Sequence, residues 1–373
     1  MIRHRPTVAV VDLAAVRHNV RALRPKGAEL MAVVKANGYG HGAVPVARAA
    51  LEAGATWLGV ALVEEGVLLR DAGLTAPVLV LTQCPPGSEK EALAAGLTPT
   101  VYTEDGLARL ADAAGAVGGS IGVHVKVDTG MHRVGLPPES AVSFAGSVSE
   151  AGLDLEGLWT HFAMSEELDD PFTEIQLRRF LDVVDRLKAA GVRPRYLHAA
   201  NTGAAIAHPS ARLDLVRVGL GMYGLLPGPG LKGMAALHPA MSWRSAVVLA
   251  KRVAAWEGIS YGLRYRLDRE STIATVPVGY ADGYSRVLGG RAEVLIRGRR
   301  YRVAGTITMD QLMVDCGDDS VEGGDEVVLI GRQDGEEITA DEVASWMGTV
   351  NYEIVCMVSE RVPREYVDQA PRP

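Results

Sequence analysis

A lysine directly after an apolar run is the residue of this sequence with the clearest chemical potential. Lys35 follows the run Met31–Val34 in the segment MAVVKANGYGHG. Burying an ammonium group is costly unless it is paired or its pKa falls, and a neutral lysine amine forms Schiff bases with aldehydes. The glycines that follow allow the backbone to approach a ligand closely. Lys35 is therefore a candidate nucleophile, the alternative being a structural lysine whose charged end reaches solvent.

Ionisable side chains also follow other apolar runs. Lys126 and Asp128 end one such run. His161 and His198 end two more, and Arg217 lies near the end of another. Where parallel strands close into a barrel, active sites lie at the carboxyl ends of the strands. One polar residue at one strand end is usually structural. Ionisable groups at five strand ends indicate an active site at the opening of the barrel, its mouth.

The elements that must position these residues alternate along the first 240 or so residues. Short runs rich in Val, Leu and Ile are typical of buried parallel strands, and segments with helical spacing, such as Ala43–Ala53 and Pro171–Ala190, lie between them. Eight such repeats predict a (β/α)8 barrel; an open doubly wound sheet is the alternative, but no Gly-x-Gly-x-x-Gly follows the first strand. The predicted strands are Glu29–Lys35, Trp57–Leu62, Pro77–Thr82, Thr98–Tyr102, Ile121–Asp128, Glu156–His161, Arg195–Ala199 and Leu213–Gly219.

A Pro/Gly-rich stretch then separates two predicted domains, a barrel over 1–240 and a mostly-β domain over 241–373. In the second domain Arg297–Arg300 predicts a hairpin turn. Thr339 is the expected N-cap of one helix, and a last strand is expected over Glu353–Ser359. The other predicted strands there are Trp243–Val253, Thr272–Val278, Ala292–Arg297, Tyr301–Thr308 and Asp325–Ile330.

The composition limits the possible partners. The 373 residues include 38 Lys and Arg against 45 Asp and Glu, a formal net charge of −7, which argues against nucleic acid. Cys84, Cys316 and Cys356 are too few and too far apart for a disulfide framework or a metal site, and reduced thiols suit the cytoplasm. We expect no signal peptide, and no uncharged apolar run has the roughly 18–20 residues of a membrane span.

The segment around Lys35 also begins a longer resemblance. Val34–Gly42, VKANGYGHG, resembles the pyridoxal-phosphate motif of alanine racemases, and the likeness continues in order across essentially the whole chain. The fold of that family, a (β/α)8 barrel followed by a C-terminal β domain, agrees with the predicted elements. The other matching stretches are VKVDTGMHRVG (125–135), HFA (161–163), HAANTGAA (198–205), RVGLGMYG (217–224), SYG (260–262), GYADG (279–283), TMDQLMVD (308–315) and NYEIVC (351–356).

The resemblance implies a pyridoxal 5′-phosphate site at the barrel mouth. Lys35 would hold the cofactor as a Schiff base, and Arg217 would face the pyridine nitrogen. Barrels often bind phosphate on the loops after strands seven and eight, which agrees with several implied ligands. Many relatives have serine where this chain has Thr202, but the hydroxyl is retained. The implied cofactor residues are Lys35, Tyr39, His161, His198, Asn201, Thr202, Arg217, Gly219, Leu220 and Tyr352.

Racemisation needs two proton carriers on opposite faces of the substrate. By resemblance, Lys35 exchanges the proton of the D isomer and Tyr261 that of the L isomer. A free tyrosine has a pKa of about 10, so Tyr261 would need activation, for which His161 and Arg217 are the matching network. Arginine only donates hydrogen bonds, so Arg217 would leave the pyridine nitrogen unprotonated and favour quick reprotonation. Without the resemblance, Tyr261 would be a turn residue; for Arg217 the alternative is a salt bridge with Asp214.

The remaining implied residues contact the substrate. Arg133 would bind its carboxylate, with the Met309 backbone N–H and Asp310 nearby, and Tyr280 would be a gate at the entrance. Family members are head-to-tail homodimers, so Tyr261, Tyr280 and Met309 would act in the partner's site.

Lys126 would carry a further chemical modification. In Val123–Asp128 the alternation of a strand points Lys126 into the site, where the implied Arg133 would bring a second cation close to it. In relatives the matching lysine is often carbamylated by CO2, and the resulting anion orients the arginine. The alternative for Lys126 is an ordinary ion pair with Asp128.

Other functions fit parts of the sequence. A pyridoxal-phosphate carrier resembles the barrel alone and would not need the β domain. A basic-amino-acid decarboxylase would have an acid at the position of Arg217. A racemase of serine or a larger amino acid is only poorly excluded by the sequence, although Tyr280 and Tyr352 would narrow the pocket toward alanine. The family role would be to supply D-alanine for bacterial peptidoglycan.

Overall fold

The computed structural model describes residues 5–118 and 120–368, which form two compact units. The barrel unit comprises Ala14–Gly38 and Gly42–His238. The β unit comprises Tyr39–His41, the described residues up to Leu13, and those from Pro239 onward. The N-terminal segment thus belongs to the same unit as the C-terminal third of the chain, which the sequence did not indicate.

The described part of the barrel unit contains one sheet of eight parallel strands, so the predicted (β/α)8 barrel is confirmed. From one edge the order is seventh, sixth, fifth and so on to the first, and then the eighth. Asp214 N donates to Leu197 O and Arg217 N to Ala200 O, both at 3.0 Å, so hydrogen bonds also link the eighth strand to the seventh. The strands are Glu29–Val33, Trp57–Val60, Val78–Gln83, Thr98–Val101, Gly122–Lys126, Asp154–Trp159, Tyr196–His198 and Leu215–Val218.

The helices of the barrel unit turn apolar residues toward the strands and polar ones outward. In Phe172–Ala189, for example, Leu177, Phe180 and Val184 are buried at helical spacing. In the described residues, no helix combines the length and the apolar character needed to cross a membrane. The helices are Leu13–Leu23, Ala43–Glu52, Val63–Asp71, Glu89–Ala94, Glu104–Val117, Ala141–Glu150, Phe172–Ala189 and Thr202–Ala207.

The β unit is built on a mainly antiparallel sheet in which the N-terminal strand lies next to one edge. Val8–Asp12 pairs antiparallel with Met241–Ala246 and parallel with Arg364–Val367. The predicted hairpin is present, because Arg297 and Gly298 both have positive φ, 51° and 69°, as a two-residue turn requires. The further strands are Leu249–Val253, Gly258–Ile259, Tyr265–Arg266, Ser271–Val276, Glu293–Ile296, Arg299–Val303, Leu312–Asp315, Glu326–Gln333 and Glu336–Ile338.

The last strand predicted for this unit is wrong, whereas the predicted helix is right. Thr339 caps the helix Ala340–Met347 by accepting a hydrogen bond from Glu342 N at 3.1 Å. The predicted strand Glu353–Ser359 is instead largely the helix Asn351–Met357, in which Ile354 and Val355 are buried. A short apolar run does not by itself distinguish a buried strand from a buried helical turn.

Candidate active site

The backbone after Lys35 forms a left-handed turn. Ala36 and Asn37 have φ near 50° and ψ near 50°, and Gly38 continues the same conformation. This costs roughly 1–2 kcal/mol for each residue other than glycine, so the surroundings must hold the turn in place. Glu65 does so, because its carboxylate accepts from Ala36 N at 2.6 Å. The strained turn directs the chain away from the strand immediately after the candidate nucleophile.

Arg217 lies near the end of the eighth strand and is only 3% exposed. Its Nη1 donates to His198 Nδ1 and to His198 O, both at 3.1 Å. Its Nη2 donates to Thr160 O at 2.7 Å, Ala199 O at 3.0 Å and His161 Nδ1 at 3.1 Å. Burial lowers the pKa of Arg217 to about 9, so the guanidinium remains a cation at neutral pH. Its terminal nitrogens are therefore fixed by acceptors on the sixth and seventh strand ends.

The two simpler ion pairs considered from sequence are not formed among the described residues. The Asp214 carboxylate accepts from Leu197 N at 2.8 Å, and no Arg217–Asp214 pair occurs. Asp128 accepts from Gly130 N at 2.9 Å and lies 3.8 Å from His132, whereas no carboxylate in the described ranges pairs with Lys126.

Lys126 and Arg217 share an aromatic neighbour that was not expected from the sequence. Lys126 Nζ lies 4.6 Å from the ring centroid of Trp159, and Arg217 Cζ lies 4.7 Å from it. Trp159 offers a π surface, to which cations are attracted, without adding a negative charge. Burial, followed by the positive charges of Arg133 and Arg217, lowers the pKa of Lys126 to about 7. Lys126 is thus a buried amine of which a large fraction is neutral near pH 7.

The loops after the seventh and eighth strands, which are the candidates for binding phosphate, meet at the hydroxyl of Thr202. Asn201 caps the helix Thr202–Ala207 by accepting from Ala204 N at 3.1 Å. Thr202 Oγ1 accepts from Gly219 N at 3.2 Å, which ties this helix start to the turn after the eighth strand. A Cβ at Gly221 would lie 2.7 Å from Thr202, so the approach requires glycine there. The first N–H groups of each turn have no partner within their own helix, and such a donor set fits a phosphate.

Tyr261 is held by its backbone but presents its ring to solvent. Ser260 has φ 63°, an uncommon value outside glycine, and Ser260 Oγ donates to Thr306 O at 2.6 Å. Thr306 Oγ1 in turn donates to the Tyr261 carbonyl at 2.9 Å. The Tyr261 residue itself is 74% exposed within the chain. The β unit thus fixes the backbone position of Tyr261, while the side chain lies outside the core.

Tyr280 and Met309 lie on adjoining turns of the same unit. Tyr280 N donates to Thr308 O at 3.0 Å, and a Cβ at Gly279 would clash with Met309 O at 2.3 Å. Tyr280 is 43% and Met309 52% exposed. Asp310 lies beside them and accepts from Arg361 Nη2 at 2.8 Å.

Tyr39 and Tyr352 are neighbours within the β unit. Their ring centroids lie 6.4 Å apart, and Tyr352 stands on the helix Asn351–Met357, most of which was expected to be a strand. A Cβ at Gly40 would lie 2.2 Å from Val355 O, so this close packing depends on the glycine after Tyr39.

The structure thus gathers the sequence-predicted residues into two sets. Lys35, Lys126, Arg217 and the residues around them belong to the strand ends of the barrel unit, and Tyr261 and its neighbours to turns of the β unit. Neither Trp159 nor Glu65 was expected beside these residues, nor was His124, whose Nδ1 lies 2.9 Å from His198 Nε2. Only the alternation that puts His124 on the same strand face as Lys126 could have pointed to one of them.

The fold and the site define a class of enzymes that combine a (β/α)8 barrel bearing a strand-end lysine with a mostly-β unit. Sequence models of the alanine racemase N-terminal and C-terminal domains match residues 11–227 and 240–366. The chain belongs to the alanine racemase family.

Similar proteins cover the chain along its whole length. The alanine racemase of Symbiobacterium thermophilum is 52% identical, with 97% of each chain covered, and that of Desulforamulus reducens is 45% identical, with 97% of this chain and 99% of the relative covered. The crystal structure of alanine racemase from Streptomyces lavendulae has a TM-score of 0.93 and 40% identity, covering 99% of this chain and 98% of that one. A histidine racemase from Leuconostoc mesenteroides also matches, with a TM-score of 0.90 and 29% identity over 98% and 99% of the two chains.

Proposed function

We propose that this chain interconverts L-alanine and D-alanine with pyridoxal 5′-phosphate as cofactor. Its similarity to alanine racemases supports the substrate. The observation that carries the mechanism is the buried Arg217, which can only donate hydrogen bonds and is held at the strand ends of the barrel. A decarboxylase site would need an acid at this position, and a cofactor carrier would not need the β unit.

The donor set described above fits the cofactor. Thr202, Gly219 and Leu220 would hold the phosphate together with Asn201 at the helix start, Tyr39 and Tyr352 being further ligands. Lys35 would hold the aldehyde carbon. When bound, the cofactor supplies an electron sink that stabilises negative charge at the substrate Cα. The division into a cofactor-binding part, 1–240, and a part that completes a second copy's site, 241–373, belongs to the same proposal.

Arg217 sets the character of the ring nitrogen. Its two terminal nitrogens carry the hydrogen bonds found among the described residues, which leaves Nε–H as a donor. A nitrogen that accepts this hydrogen bond stays unprotonated, because arginine has no proton-accepting atom. Arg217 would thereby limit how much negative charge the bound cofactor stabilises at the substrate Cα, which favours rapid return of the proton.

Two side chains move the α-proton on opposite faces of the substrate. Lys35 Nζ takes and returns the proton of the D isomer, and Tyr261 Oη that of the L isomer. His161 and Arg217 activate Tyr261. His161 suits this role, because Arg217 donates to its Nδ1 and burial with nearby cations lowers the pKa of His161 well below its usual value. A neutral His161 with Nδ1 as acceptor carries its proton on Nε2, where it can donate to a phenolate.

The second proton carrier comes from another copy of the chain. Tyr261 is 74% exposed, and a groove of about 960 Å³ that also includes Val253, Ile259 and Met313 lies beside it. Leu249 and Trp256 of the same unit are 53% and 74% exposed. Apolar exposure on this scale is typical of a surface that a partner covers. We infer a homodimer in which Tyr261, Tyr280 and Met309 complete the partner's site.

Arg133 binds the substrate carboxylate, and Met309 and Asp310 lie next to it in the completed site. Lys126 is carbamylated, because its neutral amine adds to CO2 with release of one proton and the product anion faces Arg133. The pKa of about 7 supports this step, since only the neutral amine reacts. Carbon NMR after exposure to labelled CO2 should show one carbamate signal that is missing in Lys126→Ala. The same signal in both proteins would place the carbamate elsewhere.

Alanine is favoured over larger substrates because Tyr280 and Tyr352 narrow the site. The match to a histidine racemase keeps a second function open, the racemisation of another amino acid. Cys84 and Cys316 are buried free thiols. The same proposal makes this chain a cytoplasmic enzyme that supplies D-alanine for peptidoglycan.

One experiment tests cofactor and reaction together. The purified protein should show an absorbance band that borohydride fixes to Lys35, and L-alanine should be converted toward an equal mixture of isomers. A bound cofactor with racemisation of L-serine or L-histidine, but not of L-alanine, would establish the second function. A bound cofactor with no racemisation at all would indicate that the protein is a pyridoxal-phosphate carrier.

A further inference from the structure

A line of hydrogen-bonded side chains crosses the interior of the barrel unit behind Arg217. Arg217 Nη1 lies 3.1 Å from His198 Nδ1, and His198 Nε2 lies 2.9 Å from His124 Nδ1. His124 stands on the fifth strand, His198 on the seventh and Arg217 near the end of the eighth. Both imidazoles are fully buried. Side chains alone thus connect the fifth and seventh strands to the guanidinium on the eighth.

The chemistry of arginine fixes the direction of every bond in this line. Arg217 has only donors, so His198 Nδ1 must accept and the His198 proton must be on Nε2. His198 Nε2–H then donates to His124 Nδ1, and the proton of His124 is on its own Nε2. Each ring is therefore confined to one of its two neutral tautomers.

The surroundings keep both rings neutral and immobile. His124 lies against Trp57 and Tyr196, with ring centroids 5.3 and 6.2 Å away, and His198 stacks on Trp159 at 5.6 Å. Burial, with the charge of Arg217, lowers the pKa of His124 to about 3, and burial lowers the pKa of His198 well below its usual value. A protonated His198 would have no lone pair for Arg217, so the neutral form is the one the bonds require.

Two glycines make room for the far end of the line. A Cβ at Gly157 would lie 2.5 Å from His124 Nδ1, and a Cβ at Gly122 would lie 2.6 Å from Glu156 Oε2. Glu156 Oε2 is 3.8 Å from His124 Nε2, the nitrogen that carries the proton. Burial raises the pKa of Glu156, and its side chain is 23% exposed. The backbone of the sixth strand is thus shaped to accept the imidazole of His124.

We propose that His124 is a positioning residue for the racemase reaction. By accepting from His198 Nε2–H, it keeps His198 Nδ1 available to Arg217 and so fixes the guanidinium that contacts the cofactor ring. This inference rests on the proposed function. Loss of the acceptor at His124 leaves His198 Nε2–H buried without a partner, so this tautomer loses its advantage over the other, in which Nδ1–H and the Arg217 N–H are two donors facing each other. Arg217 then loses one anchor and shifts.

Two substitutions at one position separate the hydrogen bond from the packing. His124→Asn retains an acceptor oxygen close to the place of Nδ1, and His124→Phe retains a ring of similar size without any acceptor. Nitrogen NMR of protein labelled at histidine distinguishes the two neutral tautomers. In the wild type and in His124→Asn, His198 should carry its proton on Nε2, and in His124→Phe this signature should be lost.

The enzyme with bound cofactor gives the second readout. His124→Phe should shift the absorbance maximum of the cofactor and lower kcat by up to about 10²-fold, the effect of a misplacement of roughly 1 Å, with a smaller change in KM. His124→Asn should restore most of kcat. Equal losses in the two variants would mean that His124 acts by packing alone and would overturn the proposal, as would a wild-type His198 protonated on Nδ1.

A pair of glycine substitutions covers the case in which His124→Phe does not fold. Gly157→Ala retains His124 but places a Cβ against its ring. The tautomer signature of His198 and kcat should therefore change in the same direction as in His124→Phe. Gly146→Ala is the matched control, because nothing lies within 4 Å of its Cβ. An unchanged Gly157→Ala enzyme would contradict the proposal. If the wild type racemises no amino acid, the proposed function is wrong. The tautomer measurement still tests whether His124 determines which nitrogen of His198 carries the proton.

Discussion

The strand ends of the barrel unit and the turns of the β unit hold their candidate residues in opposite settings. Arg217 and Lys126 are each only 3% exposed, and acceptors or an aromatic ring surround them. Tyr261 is 74% and Met309 52% exposed, although hydrogen bonds fix the backbone around both. One region buries cations and the other exposes apolar side chains, and each arrangement costs free energy in an isolated chain.

The difference shows which part of the site one chain can supply. The groups proposed to hold and tune the cofactor are oriented by hydrogen bonds within the barrel unit. The groups proposed to complete the site have a defined backbone but side chains directed to solvent. A cofactor-binding half built by one chain and a proton carrier borrowed from a second copy would account for both settings.

Replacing the exposed tyrosine should give the largest effect. Tyr261→Phe removes the hydroxyl that moves a proton, and general acid–base groups contribute roughly 10²–10⁴-fold to rate, so kcat should fall by that amount. The cofactor spectrum should stay the same, because the cofactor ligands are elsewhere. Chiral analysis of the product from L-alanine and an absorbance scan measure the two quantities.

A nearby tyrosine serves as the control for this substitution. Tyr265 Oη donates to Asp315 at 2.8 Å, and burial with this carboxylate raises the pKa of Tyr265 to about 12. Tyr265→Phe should therefore change stability rather than the chemical step. Loss of the bound cofactor in Tyr261→Phe would show that the exposed ring has a structural role.

Mixing two inactive variants tests whether the site is shared between copies. Lys35→Ala lacks the base in the barrel and Tyr261→Phe lacks the other base. If the two bases of one site come from different chains, a mixed dimer has one intact site, and an equal mixture should regain about a quarter of wild-type activity. Differently tagged chains confirm that mixed dimers form. Mixed dimers without activity would place both bases in the same chain.

The strand ends could be predicted from sequence because an apolar run followed by an ionisable residue indicates both a buried strand and the place where it ends. An apolar run that stops at Lys35, His161 or Arg217 marks a buried parallel strand and the side chain that emerges from it. The cap at Thr339 was equally readable, since capping is local.

Features that depend on remote contacts could not be predicted in this way. The left-handed turn after Lys35 is held by Glu65, which lies 30 residues later in the chain. The pairing of His124 with His198 depends on a register shift beside His124 and on the space over Gly157. The helix Asn351–Met357 was mistaken for a strand because only packing decides between the two for so short a run.

The buried imidazoles should make the barrel unit sensitive to acid. The folded-state pKa of His124 is about 3, below the ordinary value of about 6.5, so the unfolded chain binds protons that the folded chain does not. Below about pH 6.5 the free energy of unfolding should therefore decrease, by up to about 1.4 kcal/mol per pH unit for each such histidine. Urea denaturation at about pH 5 and about pH 7 measures the decrease.

A pair of histidine variants assigns this dependence to the barrel interior. His124→Asn has no imidazole to charge and should reduce the loss of stability between the two pH values. His132→Asn should leave it unchanged, because the side chain of His132 is 83% exposed. An identical pH dependence in both variants would mean that other groups, such as carboxylates, dominate acid unfolding.

The smallest effect compares two helix caps, one in each region. Asn201 and Thr339 each accept a hydrogen bond of 3.1 Å from the backbone N–H three residues later. Replacing either with alanine should lower the free energy of unfolding by about 1 kcal/mol. Only Asn201→Ala should also weaken cofactor binding, because its helix start belongs to the proposed phosphate site, and the Kd from a cofactor titration separates the two. Equal Kd values would mean that the helix start after Asn201 is a structural element and that the phosphate lies elsewhere in the barrel mouth.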